Sequence, residues 1–522
     1  MRKKAGKFIK KYEIHVVIFV KCCYNGGMLT DAFPQLKDTR AVKLIRAFIR
    51  SPWYLALDVL LMICAELFSL ELPVFYVYFI FALLIVLFDE DLLGVLVLIP
   101  CHYLAISAPN NPGKLTMTLF SNPMQMVPLF ILIAIYLVML PMRLLSLLLL
   151  DRNKKPPELW FGIACFSLAL ILGGLFSGYW GKRTVIFGLV EIASLFAIYL
   201  LFYYGVHWKN TPSHYGMMYF MILGMGVLIE TIGMYFMPGV ITDSGINRNA
   251  FYTGWGIYNN VGCIMAMCLP APFYFAVKRK NGWLFSLVGI VYYLAVLLSQ
   301  SRNAMLFGSL LLIACVIFTL VRTKGRERWK NVIMYGAFVL IGAVAVLIFR
   351  HRFAEMFRSV VSAGINDANR FETYRACWKR FLEAPIFGSG FYHTPGTVMQ
   401  GTGMWTTFEG AAETGFLPPR AHNTFFQLIA SGGVFMLLCY GVHRVQTGIL
   451  FFRNPSTEKT FVALCVAALL LTSLLDCHFF NFGPGLLYSV LLLAAEADDL
   501  KRDKHSVYTF KELTKKRKKA QA

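Results

Sequence analysis

The sequence predicts an all-α membrane protein with many spans, and three observations support this fold class. First, 57% of the 522 residues are hydrophobic and only 15% are charged, whereas soluble domains carry about a quarter charged residues. Second, the apolar residues form blocks of roughly 17 to 24, enough for a helix to cross a hydrocarbon core of about 30 Å. Third, these blocks are continuous, unlike the alternating strands of a membrane barrel.

The apolar blocks define about fourteen candidate spans, of which we expect 12 to 14 to cross the membrane because short neighbouring segments can merge. The first seven cover approximately residues 53–70, 73–88, 92–108, 126–150, 159–177, 184–204 and 215–237. The second seven cover approximately residues 259–277, 283–299, 304–321, 331–349, 423–442, 460–476 and 483–497.

Basic residues predict the orientation of these spans. Residues 1–50 hold 12 Lys/Arg against 3 acidic residues, and residues 498–522 hold 9 against 4. Cytoplasmic segments carry such an excess, so both termini are predicted to be cytoplasmic, in a multi-pass protein of the plasma membrane. The charge suits anionic lipid headgroups. Nucleic acid is not expected as a partner, because no nucleic-acid-reading motif accompanies the charge.

Four segments follow from this reading of the chain. Residues 1–50 form a basic, partly amphipathic cytoplasmic tail, and residues 51–240 form the amino-terminal spans. Residues 241–497 form a second membrane region, and residues 498–522 form a basic cytoplasmic tail. The second region includes an outward-facing loop at 350–422, which is long enough to indicate a function. Aromatic residues at helical spacing predict one or two short helices in it.

Cysteines and buried acids leave two questions open. The 12 cysteines mostly lie in apolar spans and are interpreted as small buried side chains. Cys377 and Cys477 are the two expected to face outward, and a disulfide between them remains an alternative. Glu191 and Glu230 lie inside apolar spans, where an acid is either neutral and hydrogen-bonded between helices or part of a proton or ion pathway.

Three outward-facing features contain residues suited to chemistry. Arg302 lies in a very short turn, Arg370 begins a basic stretch of the long loop, and His422 ends that loop. Each has a plain structural alternative: a snorkelling arginine, a solvated helix face and an interfacial histidine. Guanidinium groups also bind phosphate oxygens, and an imidazole can take a proton from a sugar hydroxyl near neutral pH.

The three features together resemble the O-antigen ligase and O-antigen polymerase family. The family pattern has a Ser-Arg-x-Ala turn, a long loop that begins with Arg and an aromatic residue and ends in Pro-x-x-Gly-x-Gly, and a His-Asn pair followed by glycine. The corresponding residues are Ser301 to Ala304, Arg370 with Tyr374, Pro385 to Gly390, His422 with Asn423, and Gly433. An Asn-rich segment that includes Arg248 also fits, and the likeness spans roughly residues 240–480.

The resemblance implies a fold similar to GT-C type glycosyltransferases and an outer-face reaction. A metal-independent inverting glycosyltransferase would move or polymerise an undecaprenyl-diphosphate-linked oligosaccharide for O-antigen, capsule or exopolysaccharide. It implies catalytic roles for Arg302, Arg370 and His422, with no metal and no cofactor. Substrate binding would involve Arg375, Asn423, Arg248 and Tyr374. The implied partners are the polyprenyl-linked donor, a glycan or lipid-linked acceptor, membrane lipids and other polysaccharide-assembly proteins.

Competing interpretations differ in which residues should matter. A transporter or flippase for a lipid-linked sugar would use internal repeats and buried charges at the membrane midplane, and no repeat is evident. A non-catalytic assembly or sensor protein would instead depend on the tails. Within the enzyme class, a ligase and a polymerase would share the donor site, so the sequence leaves these two open.

Overall fold

The structure is a computed structural model that describes most of residues 39–506. The ranges outside the description are 1–38, 90, 107–126, 129, 133, 136–155, 209–210, 213, 243–244, 248–251, 349, 352–367, 396, 400–404, 408–419 and 507–522. Helices dominate the described part of the chain, and its strands are short antiparallel pairs in loops.

The upstream half contains eight helices among its described residues. They are α1 Arg40–Ile49, α2 Pro52–Leu67, α3 Glu71–Phe88, α4 Leu93–Ile106, α5 Trp160–Leu172, α6 Lys182–Ile192, α7 Ile198–Gly205 and α8 Tyr215–Met234. A π-helical turn, Ala193–Ala197, joins α6 to α7. Two hairpins follow: β1 Ile241–Thr242 with β2 Gly245–Ile246, and β3 Tyr252–Thr253 with β4 Gly256–Ile257.

The downstream half continues with nine described helices and one more hairpin. The helices are α9 Tyr258–Cys268, α10 Pro270–Lys278, α11 Gly282–Leu298, α12 Arg302–Arg322, α13 Gly325–Ile348, α14 Ala368–Glu383, α15 Thr424–Arg453, α16 Thr457–Thr472 and α17 Phe482–Ser506. The hairpin is β5 Thr397–Met399 with β6 Trp405–Thr407. Two 3₁₀ turns, Phe391–His393 and His478–Phe480, precede α15 and α17 respectively.

Six helical segments of the described chain are long and apolar enough to cross a membrane: α6 with α7, α8, α9 with α10, α12, α13 and α15. The bent pair α1 and α2 makes a seventh if it counts as one span. Three shorter apolar helices accompany them. These helices confirm the predicted all-α polytopic class. The predicted number of 12 to 14 spans includes segments outside the described residues, among them most of 126–150.

Burial separates the centre of the bundle from its edge. The segment Tyr258–Lys278, which comprises α9 and α10, has 89% of its apolar window buried, whereas Gly325–Ile348 has 11%. Small residues allow close packing at the centre, as membrane helices require. A Cβ at Gly224 would lie 2.4 Å from the ring of Tyr292. We conclude that α9 and α10 form the core and that α13 lies at the edge of the described bundle with most of its apolar surface exposed.

The helix predicted in the long loop is confirmed: α14 covers Ala368–Glu383. Its end packs against a break in α15 at Gly433, where φ is 61°. The freed amide of Val434 donates to the Pro385 carbonyl over 2.9 Å. A Cβ at Gly433 would lie 2.4 Å from the Pro385 oxygen. This close approach explains why a glycine stands at position 433, opposite the start of the Pro-x-x-Gly-x-Gly motif.

The structure has no disulfide between Cys377 and Cys477. Cys377 and Cys477 lie in one small buried cluster, but both are free thiols. The Cys377 thiol donates to the Pro395 carbonyl over 3.3 Å, and Cys477 lies 3.6 Å from Oε1 of Gln427. Each sulfur therefore interacts with an oxygen of the fold instead of with the other cysteine.

Candidate functional site

Arg302 and His422, two of the predicted catalytic residues, each lie next to a helix cap. The Ser301 hydroxyl caps α12 by accepting from Ala304 N, so Arg302 begins that helix. The Asn423 side chain caps α15 by accepting from the amides of Phe425 and Phe426. His422 therefore lies immediately before a helix start. Capping by Ser and Asn is a local property of the sequence.

His422 pairs with a carboxylate that comes from a distant part of the chain. Its Nδ1 lies 3.1 Å from Oδ1 of Asp476, which follows the end of α16. The His422 backbone has φ of 53°, a left-handed conformation that few non-glycine residues adopt and that clusters at functional sites. The imidazole is thus held by its side-chain partner and by an unusual backbone.

Both carboxylate oxygens of Asp476 accept hydrogen bonds. Its Oδ1 accepts from its neighbour's amide, Cys477 N, over 2.8 Å, and its Oδ2 accepts from Asn259 Nδ2 over 3.2 Å. Burial by itself would raise the pKa of Asp476, but at the acid pH where a carboxylate titrates His478 and His422 are protonated, and their charges, with that of Arg370, hold the pKa of Asp476 below its usual range. Asp476 is therefore a carboxylate near neutral pH.

A second histidine completes the group that we call the His422 cluster: His422, Asp476, His478, Asn259 and Asn260. His478 is fully buried, and its Nδ1 lies 3.0 Å from Oδ1 of Asn260. Its Nε2 lies 3.8 Å from Oδ2 of Asp476. Burial lowers the pKa of His478, and this effect outweighs the opposing effect of Asp476. His478 is therefore neutral, whereas His422 is half-buried and nearer to solvent.

The loop helix α14 brings two predicted residues to this cluster. Arg370 donates from Nη1 to the Leu475 carbonyl over 3.0 Å, next to Asp476. Tyr374 lies one turn later and donates its hydroxyl to the His422 carbonyl over 3.1 Å. The Tyr374 ring stacks on Phe426 at 4.6 Å. Arg370 therefore adds a positive charge beside the histidine–aspartate pair, and Tyr374 holds the histidine backbone.

The other predicted site residues lie on neighbouring helix ends, on the exposed face of α14 or outside the described residues. Asn303 donates to the Thr472 carbonyl, so the start of α12, with Arg302, lies against the end of α16 that precedes Asp476. Asn423 uses its amide for the helix cap and for the Leu474 carbonyl. Arg375 is exposed and makes no hydrogen bond to the described residues of the cluster. Arg248 lies outside the described residues.

The geometry gives His422 a defined tautomer. Because Asp476 is a carboxylate, Nδ1 of His422 carries the hydrogen that bonds to it, and the neutral ring has its basic lone pair on Nε2. A carboxylate that orients an imidazole in this way also stabilises the imidazolium that forms when a proton is taken up. The arrangement is therefore able to act as a general base beside fixed positive charge.

Asp476 and His478 are the main residues that the sequence reasoning missed. They lie in the short turn between α16 and α17, far from the quoted motifs in sequence. A signal was present, since Asp476-Cys477-His478 places an acid and an imidazole between two apolar spans, where titratable groups are rare and often functional. In the Asn-rich segment, Asn259 donates to Asp476 and Asn260 bonds to His478.

Fold and site define a class: a polytopic α-helical membrane protein with an acid–base pair and an arginine at one end of its helix bundle. Residues 285–441 match the family model of the O-antigen ligase. The match confirms the predicted resemblance and points to a glycosyl-transferring membrane enzyme of the O-antigen ligase or polymerase type. Such a protein is an inner-membrane, multi-pass protein of polysaccharide biosynthesis, and the family implies lipid-linked glycan substrates. No curated protein shows significant similarity to the chain.

Proposed function

We propose that this chain transfers or polymerises an undecaprenyl-diphosphate-linked oligosaccharide at the outer face of the membrane. The observation that carries the proposal is the hydrogen bond of 3.1 Å between His422 and Asp476, with Arg370 beside it. An oriented base next to fixed cations suits a reaction in which a hydroxyl loses a proton and a diphosphate departs.

In the proposed reaction, the acceptor hydroxyl attacks the anomeric carbon of the donor sugar. A new C–O bond forms, and the bond from that carbon to the diphosphate oxygen breaks with inversion. Nε2 of His422 takes the hydroxyl proton, and Asp476 stabilises the resulting imidazolium. The leaving diphosphate keeps the bonding electron pair, and Arg370 and Arg302 bind its charge. Two guanidinium groups can neutralise this charge without a metal.

Other parts of the proposal rest on the sequence. Arg375, Arg248 and Asn423 remain proposed contacts for the substrate, and the four segments of the chain remain a proposed division. Both termini are proposed to lie in the cytoplasm, which puts the His422 cluster on the outer side. Other polysaccharide-assembly proteins are proposed partners.

The test is a transfer assay with purified protein in detergent and a polyprenyl-diphosphate oligosaccharide. The wild type should release polyprenyl diphosphate, and His422→Ala and Arg370→Ala should abolish release while both variants remain folded and inserted. Longer glycan would identify a polymerase, and glycan attached to another molecule would identify a ligase. No release by the wild type would favour a transporter, and normal release by either variant would refute the assigned roles.

A further inference from the structure

Arg420 and Glu191 form an ion pair that the proposed reaction does not use. Nη2 of Arg420 lies 2.9 Å from Oε1 of Glu191, whose side chain is 4% exposed. The same nitrogen donates to the Phe480 carbonyl over 2.7 Å, and the guanidinium lies 5.2 Å from the Phe391 ring centroid. Nη1 of Arg420 and Oε2 of Glu191 are buried without a hydrogen-bond partner among the described residues.

Arg420 connects the two chain segments that carry the proposed dyad. It precedes His422 by two residues, and Phe480 follows Asp476 by four. Between Arg420 and His422, the amide of Ala421 donates to Oε1 of Gln427 over 2.8 Å, which fixes this short stretch against α15. The guanidinium therefore contacts the segment that carries Asp476, while its backbone belongs to the segment that carries His422.

The charge of Arg420 reaches the immediate neighbour of Asp476. Burial raises the pKa of the Cys477 thiol, Asp476 raises it further, and Arg420 lowers it. The geometry agrees: Oε1 of Gln427 accepts from the amide of Ala421, the residue after Arg420, and lies 3.6 Å from Sγ of Cys477, the residue after Asp476. A guanidinium without its own carboxylate would be drawn towards Asp476, since a buried uncompensated charge is costly. It would then compete with His422 for that carboxylate.

Glu191 comes from the upstream half of the chain, outside the segment 285–441 that matches the family model. It lies in the last turn of α6, directly before the π-helical turn Ala193–Ala197. The Ser194 hydroxyl donates to the Glu191 carbonyl over 3.1 Å within this distorted stretch. Single π-helical turns are rare in proteins, but those that occur are often found at functional sites.

We propose that Glu191 is a positioning residue for the His422–Asp476 dyad, because it binds the Arg420 guanidinium and keeps that charge away from Asp476. The upstream helices then contribute directly to the reaction centre. The inference rests on the proposed function, since it needs His422 to act as the base.

Glu191→Gln tests the inference, because the amide keeps a hydrogen-bond acceptor but loses the charge. We expect kcat to fall about 10- to 100-fold and the KM for donor to stay within about 2-fold, as for loss of an interaction that acts in the transition state. Glu230→Gln is the matched control: Glu230 is a fully buried span acid that accepts from Trp255. Its kcat should stay within about 2-fold of wild type.

The double variant Glu191→Gln with Arg420→Gln separates positioning from a merely structural role. Removing the uncompensated cation should raise kcat at least about 5-fold above that of Glu191→Gln alone, because nothing then competes for Asp476. A double variant no better than the single one would overturn the inference. If Glu191→Gln does not fold, the double variant is measured alone, and a kcat more than about 10-fold below that of wild type would overturn the inference, because no cation then competes for Asp476.

The failure of this inference and that of the proposed function are distinguishable. If His422→Ala keeps wild-type transfer, the proposed function fails, whatever Glu191 does. If His422→Ala is inactive and Glu191→Gln matches Glu230→Gln in kcat, only the inference about Glu191 fails.

Discussion

The charged groups at the two ends of helix α16 differ in how deeply they are buried. At its amino end, Lys459 is fully buried and donates to Oδ2 of Asp499 and to the Leu450 carbonyl. Beyond its carboxyl end, Asp476 binds His422, a half-buried residue whose ring has a second nitrogen. We call the first group the Lys459 pair.

The comparison shows why a buried charge is not by itself a sign of catalysis. The Lys459 pair joins α16 to α17 in a region closed to solvent, so it suits a structural role. In the His422 cluster, both carboxylate oxygens accept hydrogen bonds, and His422, the proposed base, is the more exposed member. Burial fixes the carboxylate, whereas the imidazole is partly exposed.

Among the variants compared here, Asp476→Asn should cause the largest loss of transfer activity. The amide can present its NH₂ group to Nδ1 of His422, which favours the wrong tautomer of the imidazole. We expect transfer activity to fall roughly 10²- to 10⁴-fold, as with carboxylates that orient a catalytic imidazole. The measurement is release of polyprenyl diphosphate at saturating donor. Activity within about 3-fold of wild type would remove the dyad from the mechanism.

Asp499→Asn should affect stability instead of transfer. It leaves the Lys459 ammonium buried without its carboxylate, which typically costs about 3–5 kcal/mol. We expect a clearly lower melting temperature in detergent and unchanged activity per folded molecule. Lys459→Met with Asp499→Leu should restore most of the stability, since no buried charge remains. A large loss of activity in folded Asp499→Asn would contradict the structural role of the pair.

The smallest expected effect is a pH dependence due to His478. Burial lowers its pKa from the ordinary value of 6.5, so the unfolded chain binds this proton more readily than the folded chain. Its contribution to stability is fully present above pH 6.5 and is lost as the pH falls towards the lowered value, by at most about 1.4 kcal/mol per pH unit.

Melting temperatures of the wild type and of His478→Asn between pH 8 and pH 5 measure this dependence. The asparagine amide can replace the bond to Asn260 but does not titrate. The variant should therefore melt less steeply with falling pH than the wild type. Equal slopes would show that His478 is not a buried neutral imidazole.

Local sequence signals explain the part of the site that was predicted. Ser301 and Asn423 are helix caps, and capping depends on residues within one turn, so the positions of Arg302 and His422 could be read from the chain. Tyr374 and Arg370 lie on the predicted loop helix for a similar reason. The partner of His422 could not be read in this way, because Asp476 is 54 residues away.

Composition and the spacing of apolar residues by themselves determined the membrane class, since helices that cross a bilayer must satisfy their backbone internally and present apolar surface. The motif residues likewise determined the family resemblance. Only the tertiary structure decided which charges meet: Asp476 with His422, Glu191 with Arg420, and Lys459 with Asp499. Each pair joins segments that are distant in sequence, and such pairing depends on helix packing, which no local pattern of residues records.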